Sequence, residues 1–110
     1  MTSHLRAHFP AEVGELDDAE LARNIEAALQ VATRYGLRSE RDRCRFINIT
    51  TLYGLEFADA PEHRWMHQML IEPAVPDPAQ RLERLCLELI ERERVATQNL
   101  QARERFLRAR

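Results

Sequence analysis

Two histidines stand at a spacing that could hold a metal ion. His63 and His67 are four residues apart, so on a helix they would share one face, with Glu62 beside them. A catalytic zinc site needs a third protein ligand and a structural site a fourth, and the other two histidines of the chain lie near its N-terminus. The ligand count therefore favours two solvent-facing histidines opposite Trp65 and Met69, and we expect no metal.

Other arrangements with catalytic potential are missing from the sequence. There is no glycine-rich phosphate loop, no spaced cysteine pair and no local signature of a Ser/His/Asp or Cys/His centre. Carboxylates are plentiful, but they stand where helices start, as Asp17 and Asp77 do, or near arginines, as Glu88 does near Arg92. Helix capping and solvation explain these acids. We therefore expect a protein that is not an enzyme and needs no cofactor.

The most basic part of the chain runs from Arg34 to Arg45. It contains five arginines and two acids, and it straddles a short connection between two predicted helices. A helix-turn-helix protein could have this outline. However, the formal net charge is −2 and the helix that follows is strongly apolar, so we prefer a solvated, salt-bridged helix entrance and expect no nucleic-acid partner. A small DNA-binding regulator is the alternative function.

The cysteines and the N-terminus indicate the compartment. Cys44 and Cys86 are far apart and have apolar neighbours, a setting typical of free buried thiols in a reducing compartment. The first residues lack the apolar run of a signal peptide, and no stretch approaches the roughly 18 apolar residues of a membrane span. We therefore expect a cytoplasmic protein without a membrane partner.

The composition fits one globular domain, because 45% of the 110 residues are hydrophobic and 31% are charged. A complete start signal stands at Asp17, which can cap a helix while Glu20 completes a capping box. Apolar residues then recur at helical spacing until Gly36, a residue type that commonly ends helices. This pattern predicts a first helix from Asp18 to Tyr35.

The second predicted helix has a competing interpretation. Ser39 and Asp42 form a start signal for a helix from Glu40 to Tyr53, which would stop at Gly54. Several residues in this stretch are β-branched, and a strand from Arg43 to Tyr53 is the alternative. We prefer the helix because an isolated strand would have no evident pairing partner.

Prolines mark the last two predicted helices. Asp59 and Pro61 indicate a third helix from Ala60 to Leu70. Asp77 and Pro78 form a similar start signal, which predicts a fourth helix from Pro78 to at least Ile90. No glycine or proline follows before the end of the chain. The sequence therefore predicts an all-α fold, a small four-helix domain with a long C-terminal helix.

The final helix is predicted to extend beyond the globule, because its full length would be about 50 Å. We divide the chain into an irregular N-terminal tail (1–16), a helical domain (17–91) and a distal part of the last helix (92–110). A projecting helix gains most of its stability from packing, so we expect the distal part to dock on a partner or on a second copy of itself. The alternative is a charged tail that frays. The expected partner-binding residues are Val95, Ala96, Leu100, Arg103, Phe106 and Leu107.

Between Tyr35 and Leu82 the aromatic, glycine, proline and arginine residues follow a distinctive order. They are Tyr35, Gly36, Leu37, Arg38, Arg41, Asp42, Arg45, Phe46, Tyr53, Gly54, Phe57, Pro61, Trp65, Leu70, Pro76, Pro78, Arg81 and Leu82.

This order resembles the small helical accessory proteins encoded beside spike, tip and adapter genes in bacterial type VI secretion clusters. One group of these proteins resembles co-chaperones that work with an adapter chaperone to load a toxic effector onto the spike tip. The resemblance implies that the adapter, the effector or both are partners of this chain. An immunity protein that binds the toxin alone is the competing role within the same clusters.

Overall fold

The chain is helical almost throughout in a computed structural model that describes residues 1–108. Two short 3-10 turns, Phe57–Asp59 and Pro61–His63, lie between the fourth and fifth α-helices, and these residues contain no strand. The prediction of an all-α fold is confirmed. The α-helices are α1 (Thr2–His8), α2 (Pro10–Val13), α3 (Asp18–Arg34), α4 (Glu40–Tyr53), α5 (Arg64–Leu70) and α6 (Pro78–Arg108).

Side-chain caps start α3 and α4 at the predicted residues. The Asp17 carboxylate accepts a hydrogen bond of 2.7 Å from the backbone N–H of Glu20. The Ser39 hydroxyl accepts one of 3.1 Å from the N–H of Asp42. Each bond satisfies a donor that the first helical turn leaves without a partner.

Gly36 follows the end of α3 and lies against Pro78 at the start of α6. Its φ angle is +83°, and the next residue, Leu37, donates its N–H to the carbonyl of Ala32 at 3.0 Å. This arrangement is a Schellman motif, which favours glycine because L side chains rarely adopt a positive φ. A Cβ at this position would lie 2.9 Å from Cγ of Pro78, so the site also lacks room for a side chain.

Helix α4 lies between two clusters of buried apolar residues. Phe46 and Ile49 belong to the larger cluster, which α3, α5, α6 and the first 3-10 turn complete, and Ile47 belongs to the smaller one. The strand interpretation of this segment is therefore wrong. Its β-branched residues form a helix because burial on both sides outweighs their modest helix propensity.

The prediction of an irregular N-terminal tail is also wrong. Helices α1 and α2 place Leu5 and Val13 in the smaller cluster, where these side chains are 1% and 3% exposed. The Arg6 guanidinium donates hydrogen bonds to the Leu16 carbonyl at 2.9 Å and to the Asp18 carboxylate at 2.8 Å. No side chain caps either helix, so the capping signals used to predict helices were missing here.

The third predicted helix begins later than expected. Its α-helical part starts at Arg64, whereas Asp59 ends the first 3-10 turn and does not cap the helix. Ala60 is extended, with φ −82° and ψ 127°, because a residue before proline is pushed out of helical geometry and Pro61 follows it. The predicted end at Leu70 is confirmed.

Helices α5 and α6 form an antiparallel hairpin. Near its turn, the Arg81 side chain donates hydrogen bonds to the carbonyls of Glu72 and Val75. At the other end, Trp65 in the first turn of α5 lies under the guanidinium of Arg92. Helix α5 and the loop that follows it therefore cover one side of α6 from its start as far as Arg92.

Helix α6 makes the molecule elongated. The 31 residues of this helix span about 46 Å, and the whole described chain measures 52 × 40 × 24 Å. Its radius of gyration is 16.3 Å, compared with about 13 Å for a compact domain of this size. Within residues 1–108, no helix is long and apolar enough to cross a bilayer.

Candidate protein-binding surface

The distal segment of α6, residues 92–108, is exposed over its whole length. All six residues predicted to contact a partner lie on it. The exposed fractions of the four larger apolar side chains are 41% for Val95, 58% for Leu100, 64% for Phe106 and 57% for Leu107. Exposed apolar side chains that lie together on one surface can mark a site of protein–protein contact.

Four of the six residues share one side of the helix. An α-helix turns by about 100° per residue, so residues four, seven and eleven apart face similar directions. Ala96, Leu100, Arg103 and Leu107 follow this spacing, and we call the three apolar residues among them, Ala96, Leu100 and Leu107, the distal stripe. The stripe continues the side on which Leu82 is fully buried in the larger cluster. The face that holds α6 in the globule therefore extends beyond it.

The other two residues lie about a quarter turn away. Val95 and Phe106 are eleven residues apart and continue the side of α6 that carries Glu88. That side borders a groove of about 380 Å³ between α5 and α6, whose lining includes Trp65 and Arg84. The six predicted residues thus divide between two adjacent sides of the helix.

Trp65 stands where the covered part of α6 ends. It is half-buried against the larger cluster. Its ring also lies 3.7 Å from the guanidinium carbon of Arg92, whose Nε donates to the Glu88 carboxylate at 2.9 Å. A cation–π contact of this kind contributes about 0.5 to 1 kcal/mol at an exposed site. This contact anchors the first residue of the distal segment.

His63, at the end of the second 3-10 turn, and His67, in α5, each contact a tyrosine. Nδ1 of His67 is 2.7 Å from the hydroxyl of Tyr35, and the His63 ring lies edge-on to Tyr53 at 5.3 Å between centroids. The expectation that both histidines face solvent is wrong, since both are half-buried. Burial raises the pKa of Tyr35, and the charge of Asp59 raises it further. Residues 1–108 contain no group of three metal-ligating side chains.

The two cysteines carry free thiols, and the reactivity of one of them, Cys86, is lowered by burial. Cys44 and Cys86 are free and half-buried. Burial raises the pKa of Cys86, although the positive charge of Arg45 acts in the opposite direction. Because the thiolate is the reactive form, a raised pKa makes this thiol a poor nucleophile.

The arginine-rich entrance to α4 is partly engaged within the fold. Arg43 donates a hydrogen bond of 3.3 Å from its Nε to the Leu37 carbonyl. Arg45 forms an ion pair with Glu83 on α6. These contacts agree with the interpretation of a salt-bridged helix entrance, and they tie α4 to its neighbours.

Sequence reasoning named Arg103 as a contact residue but missed two glutamates that border the distal stripe. They are Glu93 and Glu104, and both are exposed. The signal that could have found them is an eleven-residue spacing, which relates Arg92 to Arg103 and Glu93 to Glu104. Residues at this spacing return to within about 20° of the same direction on a helix.

The candidate surface is therefore an exposed helix with an apolar stripe and charged borders, joined to the globule at Trp65. No protein-family model, curated protein or solved structure matches the chain. The candidate surface is therefore assigned from the exposure and spacing of the residues of α6.

Proposed function

We propose that this chain is a non-enzymatic protein-binding accessory that contacts its partner through the distal segment. The observation that carries the proposal is the exposure of apolar side chains along residues 92–108, beyond the last contact with α5. Most helical stability in proteins comes from packing an apolar face against other elements. A partner that covers this face would supply that packing.

The resemblance of residues Tyr35 to Leu82 to type VI secretion accessory proteins supports a more specific role. We infer that the chain is a cytoplasmic co-chaperone that works with an adapter chaperone to load a toxic effector. Its partners are then the adapter, the effector or both. The resemblance covers α4, α5 and the start of α6, so the distal segment is assigned from its exposure and not from the resemblance.

The decisive experiment compares capture of the adapter and the effector by the parent chain and by three variants. The variants are truncation after Glu91, Leu100→Asp and Phe106→Asp. Each is expected to weaken capture at least about tenfold, because truncating a central apolar anchor of an interface costs about 2 kcal/mol or more. Gln101→Asp is the matched control, since it places the same charge about 100° away from Leu100 and about 140° away from Phe106 around the helix.

Three outcomes would change the assignment. If the variants fold and capture both proteins as well as the parent does, the interface lies elsewhere, and the exposed face near Arg38 and Arg41 is next to be examined. If the chain protects cells from the toxin when no adapter is present, it is an immunity protein. Salt-sensitive binding of duplex DNA at physiological ionic strength would support the regulator instead.

A further inference from the structure

Two rows of opposite charge border the distal stripe. Arg92 and Arg103 lie on one side of Leu100, and Glu93 and Glu104 lie on the other. Within each row the two residues are eleven apart, so they point in nearly the same direction. All four are exposed, and a helix packed on the stripe would contact both rows.

The globule determines where such a helix can lie. Helix α5 packs on the side of α6 that becomes the distal stripe, and its cover ends where Trp65 meets Arg92. Packed helices lie about 8 to 10 Å apart. An occupant of the stripe would therefore continue the line of α5 beyond Trp65, with about 24 Å of α6 available between Arg92 and Arg108. This length corresponds to about four helical turns.

A second copy cannot pair in the parallel direction. In a parallel pair the stripes of both copies would face each other along two straight helices. The second α6 would then pass along the side of Leu82 and Leu85, about 8 to 10 Å from the first α6. Helix α5 already occupies that space. The two copies would overlap in space.

A second copy in the antiparallel direction avoids this overlap but is opposed by charge. When two identical helices pair antiparallel about a two-fold axis, each side of one helix faces the same side of the other. Arg92 and Arg103 would then face the arginines of the second copy. Glu93 and Glu104 would likewise face its glutamates, and like charges across an interface are destabilising.

We propose that the distal stripe binds one amphipathic helix of a different protein, and that the two charge rows keep the chain from pairing with itself. The partner helix carries acidic side chains next to Arg92 and Arg103 and basic side chains next to Glu93 and Glu104. Its apolar face covers Ala96, Leu100 and Leu107. This inference rests on the proposed function, because it describes the partner of the same surface.

The first test exchanges two charges so that opposite charges face each other when two copies of α6 pair antiparallel. The double variant Arg103→Glu/Glu104→Arg keeps the net charge and the apolar residues. Each row then contains one acidic and one basic side chain. In an antiparallel pair, Arg92 then faces an acid and Glu93 faces a base. Light scattering should find the parent monomeric at concentrations at which the double variant is a dimer, with a dimer dissociation constant lowered at least about tenfold.

Two controls accompany this test. Adding Leu100→Asp to the double variant should restore the monomer, because it removes the apolar centre of the pair. The exchange Glu91→Arg/Arg94→Glu also keeps the net charge, but it lies on the side of α6 away from the stripe, so it should leave the chain monomeric. A parent chain that dimerises through the stripe as tightly as the double variant would overturn the inference.

The second test supplies the helix from a different chain. The variant Arg92→Glu/Arg103→Glu has two acidic rows, and Glu93→Arg/Glu104→Arg has two basic rows. Each should be monomeric alone, and an equimolar mixture should form a one-to-one complex. As a control, Arg94→Glu/Arg105→Glu has the same net charge as the acidic variant but should not bind the basic one. Failure of the mixture to associate, when both variants are folded, contradicts the inference.

These measurements use neither the adapter nor the effector. Loss of the natural partner on truncation, together with failure of both association tests, would leave the proposed function intact and reject the charge-paired helix. If both association tests succeed but the truncated chain still captures the natural partner, the proposed function of the distal segment is rejected. The capacity of the stripe to bind a charge-matched helix then stands.

Discussion

At the scale of single residues, the contact between Tyr35 and His67 links the end of α3 to α5. Burial raises the pKa of Tyr35, and Asp59 raises it further, so the folded chain keeps the phenol neutral. The unfolded chain releases this proton near its ordinary pKa of about 10. The resulting contribution to the free energy of unfolding is complete below that pH and is lost as the pH rises through the folded pKa.

We therefore expect the stability of the parent, followed from neutral pH to about pH 11, to fall more steeply than that of Tyr35→Phe once the pH passes about 10. The variant should also lose about 1 kcal/mol at neutral pH, because its ring cannot form the hydrogen bond to His67. Urea denaturation across this pH range measures both effects. Tyr53→Phe is the control for the other tyrosine, and an identical decline in the parent and Tyr35→Phe would contradict the expectation.

At the scale of elements, α1 depends on burial and not on capping. Met1 provides no side-chain cap, whereas Leu5 is buried and His4 contacts the Asn48 side chain at 3.1 Å. We expect Leu5→Ala to lower the free energy of unfolding by about 2 to 4 kcal/mol, the usual cost of truncating a buried leucine. Denaturant unfolding provides the measurement.

The matched control is Ala7→Ser on the exposed side of the same helix. It should change stability by less than about 0.5 kcal/mol, as substitutions at exposed positions usually do. Similar stabilities for the two variants would mean that the N-terminal helices contribute nothing to the folded domain.

At the scale of the whole molecule, the globule should not need the distal segment. Truncation after Glu91 removes no buried residue. The contacts it loses at the boundary are those of Arg92 with Trp65 and Glu88 and the exposed ion pair of Arg94 with Glu91. We expect the free energy of unfolding to fall by no more than about 1 kcal/mol.

The same truncation should change the shape of the molecule. Its radius of gyration should decrease from 16.3 Å towards about 13 Å in small-angle scattering. Leu82→Ala in the full chain is the opposite case, since it should keep the elongated shape but lose about 2 to 5 kcal/mol. A truncated chain that unfolds would show that the distal segment is part of the globule.

Local interactions explain why much of the fold could be predicted. The starts of α3 and α4 depend on bonds from Asp17 and Ser39 to residues three positions later, and both starts were correct. The continuity of α6 followed from the absence of glycine and proline. The six predicted contact residues were all found on an exposed helix, because apolar spacing is also a local property.

What remained for the tertiary structure involves residues that are distant in sequence. Leu5 stabilises α1 only because the fold brings it to the cluster of Ile47, and no local pattern encodes that meeting. The division of the site between two sides of α6 and a start of the distal part at residue 92 could be derived from the sequence, but the contact that ends the cover could not. Trp65 reaches Arg92 from a separate helix, and the packing of the whole core decides where the two residues meet.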